Sequence, residues 1–173
     1  MKKMLSLLLC AVCLFALAAC AGKAPAPTGS DEPVGSMEAQ MVNPFVSYDT
    51  IEDAAAVTGF DFLVPATMDG YTDRNIQVMD GRMLQVTFID ESGNMLLLRK
   101  AAGSDDISGD YIVYADTKTV TLPNGAEAEL RGDEPNFQAA VWTANGCSYA
   151  VSSDLPMDEA ALVDLIGMLD LAD

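Results

Sequence analysis

Ile76-Gln77-Val78-Met79-Asp80-Gly81-Arg82-Met83-Leu84-Gln85-Val86-Thr87-Phe88 is the stretch on which the fold turns. Ile76 and Val78 alternate with polar neighbours, as do Leu84, Val86 and Phe88. A period of two marks a strand with one buried face. Between the two runs stands Asp80-Gly81, and glycine tolerates the left-handed backbone that tight hairpins need. A two-residue loop sets Val78 opposite Met83 and Ile76 opposite Gln85, which throws the apolar rows onto opposite faces. A three-residue loop, Met79-Asp80-Gly81, sets Val78 opposite Arg82 and Ile76 opposite Leu84, with Gly81 in the left-handed slot of a bulged turn. The second register is the one expected.

The device recurs downstream. Pro123-Asn124-Gly125 predicts a three-residue loop with Leu122 opposite Ala126 and Val120 opposite Ala128, Pro123 at the position its fixed φ suits. Asn145-Gly146 marks a third hairpin between 137–144 and 147–152, with its register open: two loop residues pair Trp142 with Tyr149, three pair Val141 with Tyr149. Further strands are expected over 94–101 and 110–115, with a polar loop over 102–109. The apolar run 60–64, ended by Pro65, reads as an edge strand. Asp49 and Glu52 have capping-box spacing and predict a short helix over 50–58, stopped by Gly59. Leu162, Leu165, Ile166 and Leu169 fall at helical spacing and predict an amphipathic helix over 157–170, with Asp158 and Glu159 at its positive end. The expected fold is therefore α+β: one domain over 45–173, a meandering antiparallel sheet of about seven or eight strands, a short N-terminal helix, and a C-terminal helix packed on one face.

The order of a short helix, Phe60-Asp61-Phe62-Leu63-Val64-Pro65, Gly70-Tyr71, meandering strands, a late Trp142…Gly146…Tyr149 hairpin and a terminal helix resembles the DUF4367-type extracellular domain. That family occurs in Gram-positive lipoproteins and in the outer parts of anti-sigma-like membrane proteins. The resemblance spans about residues 45–171 and implies an extracytoplasmic setting. It brings no catalytic residue with it.

Upstream, Lys2 and Lys3 precede an uncharged, largely apolar run from Met4 to Ala19 that ends Leu17-Ala18-Ala19-Cys20. A basic start, an apolar middle and small residues before a cut site make a secretory signal over 1–19. The run is shorter than the roughly 20 residues a bilayer core requires, which disfavours an uncut anchor. Leu17-Ala18-Ala19-Cys20 closely resembles the lipobox of bacterial lipoproteins. The resemblance implies that Cys20 carries a thioether-linked diacylglycerol, whose two acyl chains are of the palmitate kind, and starts the mature protein. Two acyl chains meet the condition for stable anchoring. From 20 to 44 the chain is rich in Ala, Pro, Gly, Ser and acidic residues without apolar periodicity, and reads as a disordered spacer. The expected location is the outer side of a membrane, either cell surface or periplasm.

Composition removes whole classes of function. The chain has 9 basic and 26 acidic residues, a formal charge of −17. Loss of residues 1–19 takes two of the basic residues and no acidic one, which leaves seven against 26 and a charge of −19. Nucleic acid is not a partner for such a surface, because phosphate affinity comes from clustered Lys and Arg. There is no histidine, hence no Ser-His or Cys-His nucleophile pair and no commonest metal ligand. Of four cysteines, Cys10 and Cys13 leave with the signal and Cys20 takes lipid, so Cys147 remains alone. It follows a turn and is expected to be buried and inert.

Three groups of residues remain as candidates for chemistry. Asp105, Asp106 and Asp110 crowd one Gly-bounded loop, the oxygen-rich setting calcium takes outside cells, but without EF-hand spacing. Glu127, Glu129, Asp133 and Glu134 offer carboxylates in the number a glycosidase needs. Glu127 and Glu129, however, alternate with Ala126, Ala128 and Leu130 and so face outward from a strand. Trp142 and Tyr149, with Tyr111 and Tyr114, are aromatic enough to line a groove, though strand aromatics commonly serve packing. The reading is a lipid-tethered, non-catalytic module that binds or senses a protein or small molecule, without cofactor or metal and with no cleft of paired titrating groups. A structural accessory subunit of an envelope complex is the alternative, and a hydrolase using carboxylates alone is the remaining one.

Overall fold

The computed structural model describes residues 43–169. The leader, Cys20 and the spacer up to residue 42 lie outside the described residues, as do 170–173. In chain order the elements are β1 (Phe45–Tyr48), α1 (Ile51–Thr58), β2 (Asp73–Met79), β3 (Met83–Ile89), β4 (Met95–Ala102), β5 (Asp116–Thr121), β6 (Glu127–Asp133), β7 (Asn136–Ala144), β8 (Cys147–Asp158) and α2 (Glu159–Leu169). The strands form one eight-stranded sheet, order β1-β2-β3-β4-β8-β7-β6-β5, with every pair antiparallel. This is the α+β architecture that the alternating apolar pattern predicts.

Register builds the core. Tyr48, Ile76, Val86, Leu98, Val151, Ala140 and Leu130 lie side by side across seven strands. Ala54 of α1 and Leu162, Leu165, Ile166 and Leu169 of α2 join them in one buried cluster. Each buried Leu, Ile or Phe contributes about 1.5–3 kcal/mol. Both helices thus cover this inner face, and the other face of the sheet is left to the loops. None of the helices among the described residues is long and apolar enough to cross a membrane.

Several local expectations need correction. The β2–β3 connection has three residues, but they are Asp80-Gly81-Arg82, so Val78 pairs with Leu84 and Ile76 with Val86. Asp80 and Gly81 are both left-handed, at φ 51° and 67°, and the Arg82 amide donates to the Met79 carbonyl at 3.0 Å. This type I′ turn with one extra residue keeps the two apolar rows on one face, which burial demands. The Pro123-Asn124-Gly125 loop has the register expected, with Val120 opposite Ala128. The third hairpin takes the two-residue form: Asn145 and Gly146 are left-handed and Trp142 faces Tyr149. Cys147, beside that turn, is only half-buried rather than buried. Thr50, not Asp49, caps α1, its Oγ1 accepting from the Asp53 amide at 3.1 Å.

Two predicted strands are not strands. The 60–64 segment crosses the inner face as irregular chain, because Phe62 leaves the backbone to bury its ring against Tyr149, 6.3 Å between centroids. The sheet edge it was expected to form is β1 instead. The 110–115 segment is irregular too, with Tyr111 and Val113 each 95% exposed. It belongs to the β4–β5 connection. Because β4 pairs with β8, that connection must cross β8, β7 and β6 to reach the far edge, roughly 19 Å at the usual strand spacing. The extended run over 103–115 is this crossing strap. It lies on the outer face, where its carbonyls and carboxylates meet Arg99 and Arg131.

Candidate functional site

The outer face is polar by strand parity. Gln77, Gln85 and Arg99 stand in one cross-strand row, continued by Ala150, Val141 and Glu129. Gln85 is buried, its amide donating to Gln77 Oε1 at 3.2 Å while its own Oε1 accepts from Arg99 Nε at 2.9 Å. Arg99 Nη1 then donates to the Ile107 carbonyl at 3.1 Å and to the Ser108 carbonyl. The guanidinium therefore fastens the strap to the sheet through backbone alone. Burial depresses its pKa from the usual arginine range, and no carboxylate among the described residues forms an ion pair with it. Gly109, at φ 63°, lies close against the Nη1 end of this guanidinium; a Cβ there would stand 2.6 Å from Nη1.

A second fastening lies further along the strap. Arg131 Nη2 reaches Asp106 Oδ2 at 2.8 Å and its Nε reaches Glu129 Oε1 at 2.7 Å. Asp106 Oδ1 also accepts from the Ser108 amide at 2.9 Å and the Ser108 hydroxyl at 2.7 Å. Burial by itself would raise the Asp106 carboxyl, but the Ser108 hydrogen bonds and the Arg131 guanidinium outweigh it and hold the group below the ordinary range. Burial likewise opposes the Arg131 charge, yet Glu129 and Asp106 together raise its pKa. Asp110 Oδ2 accepts the Tyr114 hydroxyl at 2.7 Å, and burial together with that carboxylate pushes the Tyr114 phenol upward.

Two clefts flank the strap. One, of about 310 Å³, is lined by Asp105, Asp106, Glu127 and Glu129 with Thr119, Val141 and Thr143 among others. This corrects the expectation that no cleft gathers several titrating groups: four carboxylates border it. Two of them, Asp106 and Glu129, share the Arg131 guanidinium, so they work as a structural ion-pair set. The other cleft, about 300 Å³, lies between the strap and β4, β7 and β8, lined by Leu97, Arg99, Tyr114, Gln138, Ser152 and Asp154 among others.

The sequence-level candidates are scattered by the fold. Asp105, Asp106 and Asp110 do not converge: Asp106 turns to Arg131 while Asp110 turns to Tyr114 and the Ile112 amide. Among the described residues no group of three or more acidic or cysteine side chains is placed to hold a metal ion. Asp133 and Glu134 sit at the β6–β7 turn, where Asp133 accepts from the Ala115 amide and the Glu134 amide donates to Asp116. Trp142 and Tyr149 are core residues stacked at 5.0 Å and 8° that together also border the first cleft, whereas Tyr111 is exposed and Tyr114 lines the second. The four aromatics line no common groove. Trp142 Nε1 and Ser152 Oγ are buried and have no hydrogen-bond partner.

Sequence reading passed over Arg99, Lys100 and Ser152. Lys100 is buried on the inner face, its Nζ donating to the Asp61 carbonyl at 2.6 Å and lying 5.0 Å from the Tyr149 ring centre and 5.6 Å from that of Phe60. The available signal was Arg99-Lys100 inside an apolar strand: adjacent cations there must point to opposite faces. No protein-family model matches this chain, and neither the curated proteins nor the solved structures yield a match.

Proposed function

We propose that this chain is a membrane-tethered, extracytoplasmic module that binds a ligand under the strap on the outer face of its sheet, and that it does no chemistry on that ligand. One observation carries the binding reading: a 103–115 strap fastened over a polar sheet face, with a cleft on each side. Clefts of this size lie at the lower end of the range for small-molecule sites. Support for the tether is Leu17-Ala18-Ala19-Cys20 behind a basic and apolar leader. Support for a non-catalytic role is that the two outer-face carboxylates drawn together, Asp106 and Glu129, are spent on Arg131.

An accessory role in an envelope complex is favoured by a separate feature. Tyr111, Ile112 and Val113 form an apolar tip on the strap, with Tyr111 and Val113 almost wholly exposed. Neighbouring apolar residues held out together are a common mark of a protein contact.

Two measurements test the reading. Mass spectrometry of the membrane fraction should find a mature N-terminus at Cys20 bearing diacylglycerol, with Cys20→Ala left unprocessed. An unmodified N-terminus elsewhere on protein free in the medium would refute the tether. Hydrogen exchange on the full chain, with and without a low-mass extract of spent medium, should show protection gained at 104–114 and at β8. An extract that leaves those amides unchanged would refute binding under the strap.

A further inference from the structure

The cleft between the strap and β8 has a charge arrangement that selects its ligand. At one end stands Arg99. Its Nε and Nη1 are committed to Gln85, Ile107 and Ser108, and its Nη2 makes no hydrogen bond among the described residues. At the other end stands Asp154, whose Oδ2 accepts from the Met95 amide at 2.8 Å and whose Oδ1 accepts nothing among the described residues. Between them lie Leu97 on β4 and, directly opposite it on β8, Ser152. Ser152 Oγ is buried without any hydrogen-bond partner, and a buried hydroxyl left so costs about 1–3 kcal/mol. Met95 and Ile112 add apolar wall, and Gln138 adds an amide.

A simple anion does not suit this place, since Asp110 and Asp154 border it and the chain as a whole is strongly acidic. A simple cation does not suit it either, because it would meet Arg99. A molecule with both charges suits it if they are far enough apart. Arg99 and Met95 are four residues apart on β4, roughly 13 Å between Cα atoms, and side-chain reach from the two ends shortens that gap. The charged groups of a free α-amino acid sit on adjacent carbons and are too close. Two or three residues of extended peptide span about 7–10 Å. About 300 Å³ also admits a di- or tripeptide and little more.

We propose that this cleft binds a short apolar peptide with both ends free, its terminal carboxylate on Arg99, its ammonium on Asp154 and its peptide group on Ser152 Oγ. The proposal rests on the binding reading above and names the ligand class for one of the two clefts. Ser152 is the residue whose role is most exposed to test. Removing an unpartnered buried hydroxyl leaves stability unchanged or raises it, whereas removing a ligand contact weakens binding.

The test uses the full chain purified in detergent and titration calorimetry with Leu-Leu as probe. Leu-Leu should bind. N-acetyl-Leu-Leu, Leu-Leu-amide and free leucine should each bind at least about tenfold more weakly, as loss of a charged hydrogen bond implies. Ser152→Ala should weaken Leu-Leu by about three- to tenfold with an unchanged or higher Tm. Asp154→Asn should abolish discrimination against the acetylated peptide. Equal binding of the capped peptides, an unaltered affinity in Ser152→Ala, or no heat with Leu-Leu at millimolar concentration would overturn the proposal. If Leu-Leu fails while the spent-medium extract still protects the strap, only the peptide chemistry falls. If both fail, the binding reading falls with it.

Discussion

Gly109→Ala tests whether the strap is held by Arg99, and a second glycine supplies the control. Gly109 and Gly81 have nearly the same left-handed backbone, φ 63° and 67°. An alanine at Gly81 would meet nothing within 4 Å, while at Gly109 its Cβ would lie 2.6 Å from Arg99 Nη1. Backbone strain alone costs about 1–2 kcal/mol in either place. At Gly109 the guanidinium must also move, and it is pinned from the far side by Gln85. The Nη1 bonds to the Ile107 and Ser108 carbonyls are then lost or lengthened. A hydrogen bond from a charged donor is worth about 1.5–3 kcal/mol, and the guanidinium regains some water through the cleft, so one bond's worth is a fair net figure. Gly109→Ala should therefore weaken the strap by about 2.5–5 kcal/mol, and Gly81→Ala its own turn by about 1–2. Urea unfolding followed by the fluorescence of Trp142, the single tryptophan, reads global stability. Hydrogen exchange at 104–113 reads the strap separately. The expected result is a strap in Gly109→Ala that opens well before the sheet unfolds, and a strap in Gly81→Ala that behaves as in wild type. Identical strap exchange in the two variants would refute the Arg99 fastening.

Three further outcomes are expected. Asp106 has a lowered pKa in the fold, so its contribution is complete above the ordinary carboxylate value near 3.9 and is lost as pH falls through the lower folded value. Strap protection, corrected for intrinsic exchange, should decay below about pH 4, and Asp106→Asn should be looser at pH 7 with a flatter profile. Leu98→Ala removes a fully buried side chain at the centre of the inner face and should cost about 2–5 kcal/mol in urea unfolding. Lys100→Met loses the bond to the Asp61 carbonyl but also the expense of burying an ammonium, so global stability should stay within about 2 kcal/mol of wild type while exchange at 60–64 rises.

What the sequence made legible was local. Pro123-Asn124-Gly125 carries its own turn geometry, and the structure has that register. Asp80-Gly81 does mark the turn, but the loop sits one residue further along and the pairing shifts by two, because Asp80 takes a left-handed φ that a bulged turn assigns to glycine alone. The 110–115 segment failed for a different reason. Tyr111, Ile112, Val113 and Tyr114 have strand propensity, and propensity yields to topology: once β4 pairs with β8, this segment must cross the sheet and cannot join it. The candidate site failed for the same reason. Arg99 and Ser152 become neighbours only through the β4–β8 pairing, and no local spacing announces a contact between strands so far apart in the chain.

The cations show how a chain this acidic holds its irregular segments in place. Six of the nine basic residues fall within the described region, and three of those six donate to backbone carbonyls. Arg74 holds the Pro65 carbonyl and Lys100 that of Asp61, both in the segment crossing the inner face. Arg99 holds Ile107 and Ser108 in the strap crossing the outer face. Irregular chain laid against a sheet exposes carbonyls to a dry surface, and each needs a donor that no ladder supplies. A carboxylate cannot be that donor, since when ionised it only accepts. Arginine and lysine can, and with aromatic faces beside it Lys100 stays buried without an anionic partner among the described residues. Adjacent in sequence and opposite in direction, Arg99 and Lys100 thus fasten one segment to each face of the same strand. β4 is the joint of the two four-stranded halves, so a change in the outer strap at Arg99 is one residue away from the inner clasp at Lys100.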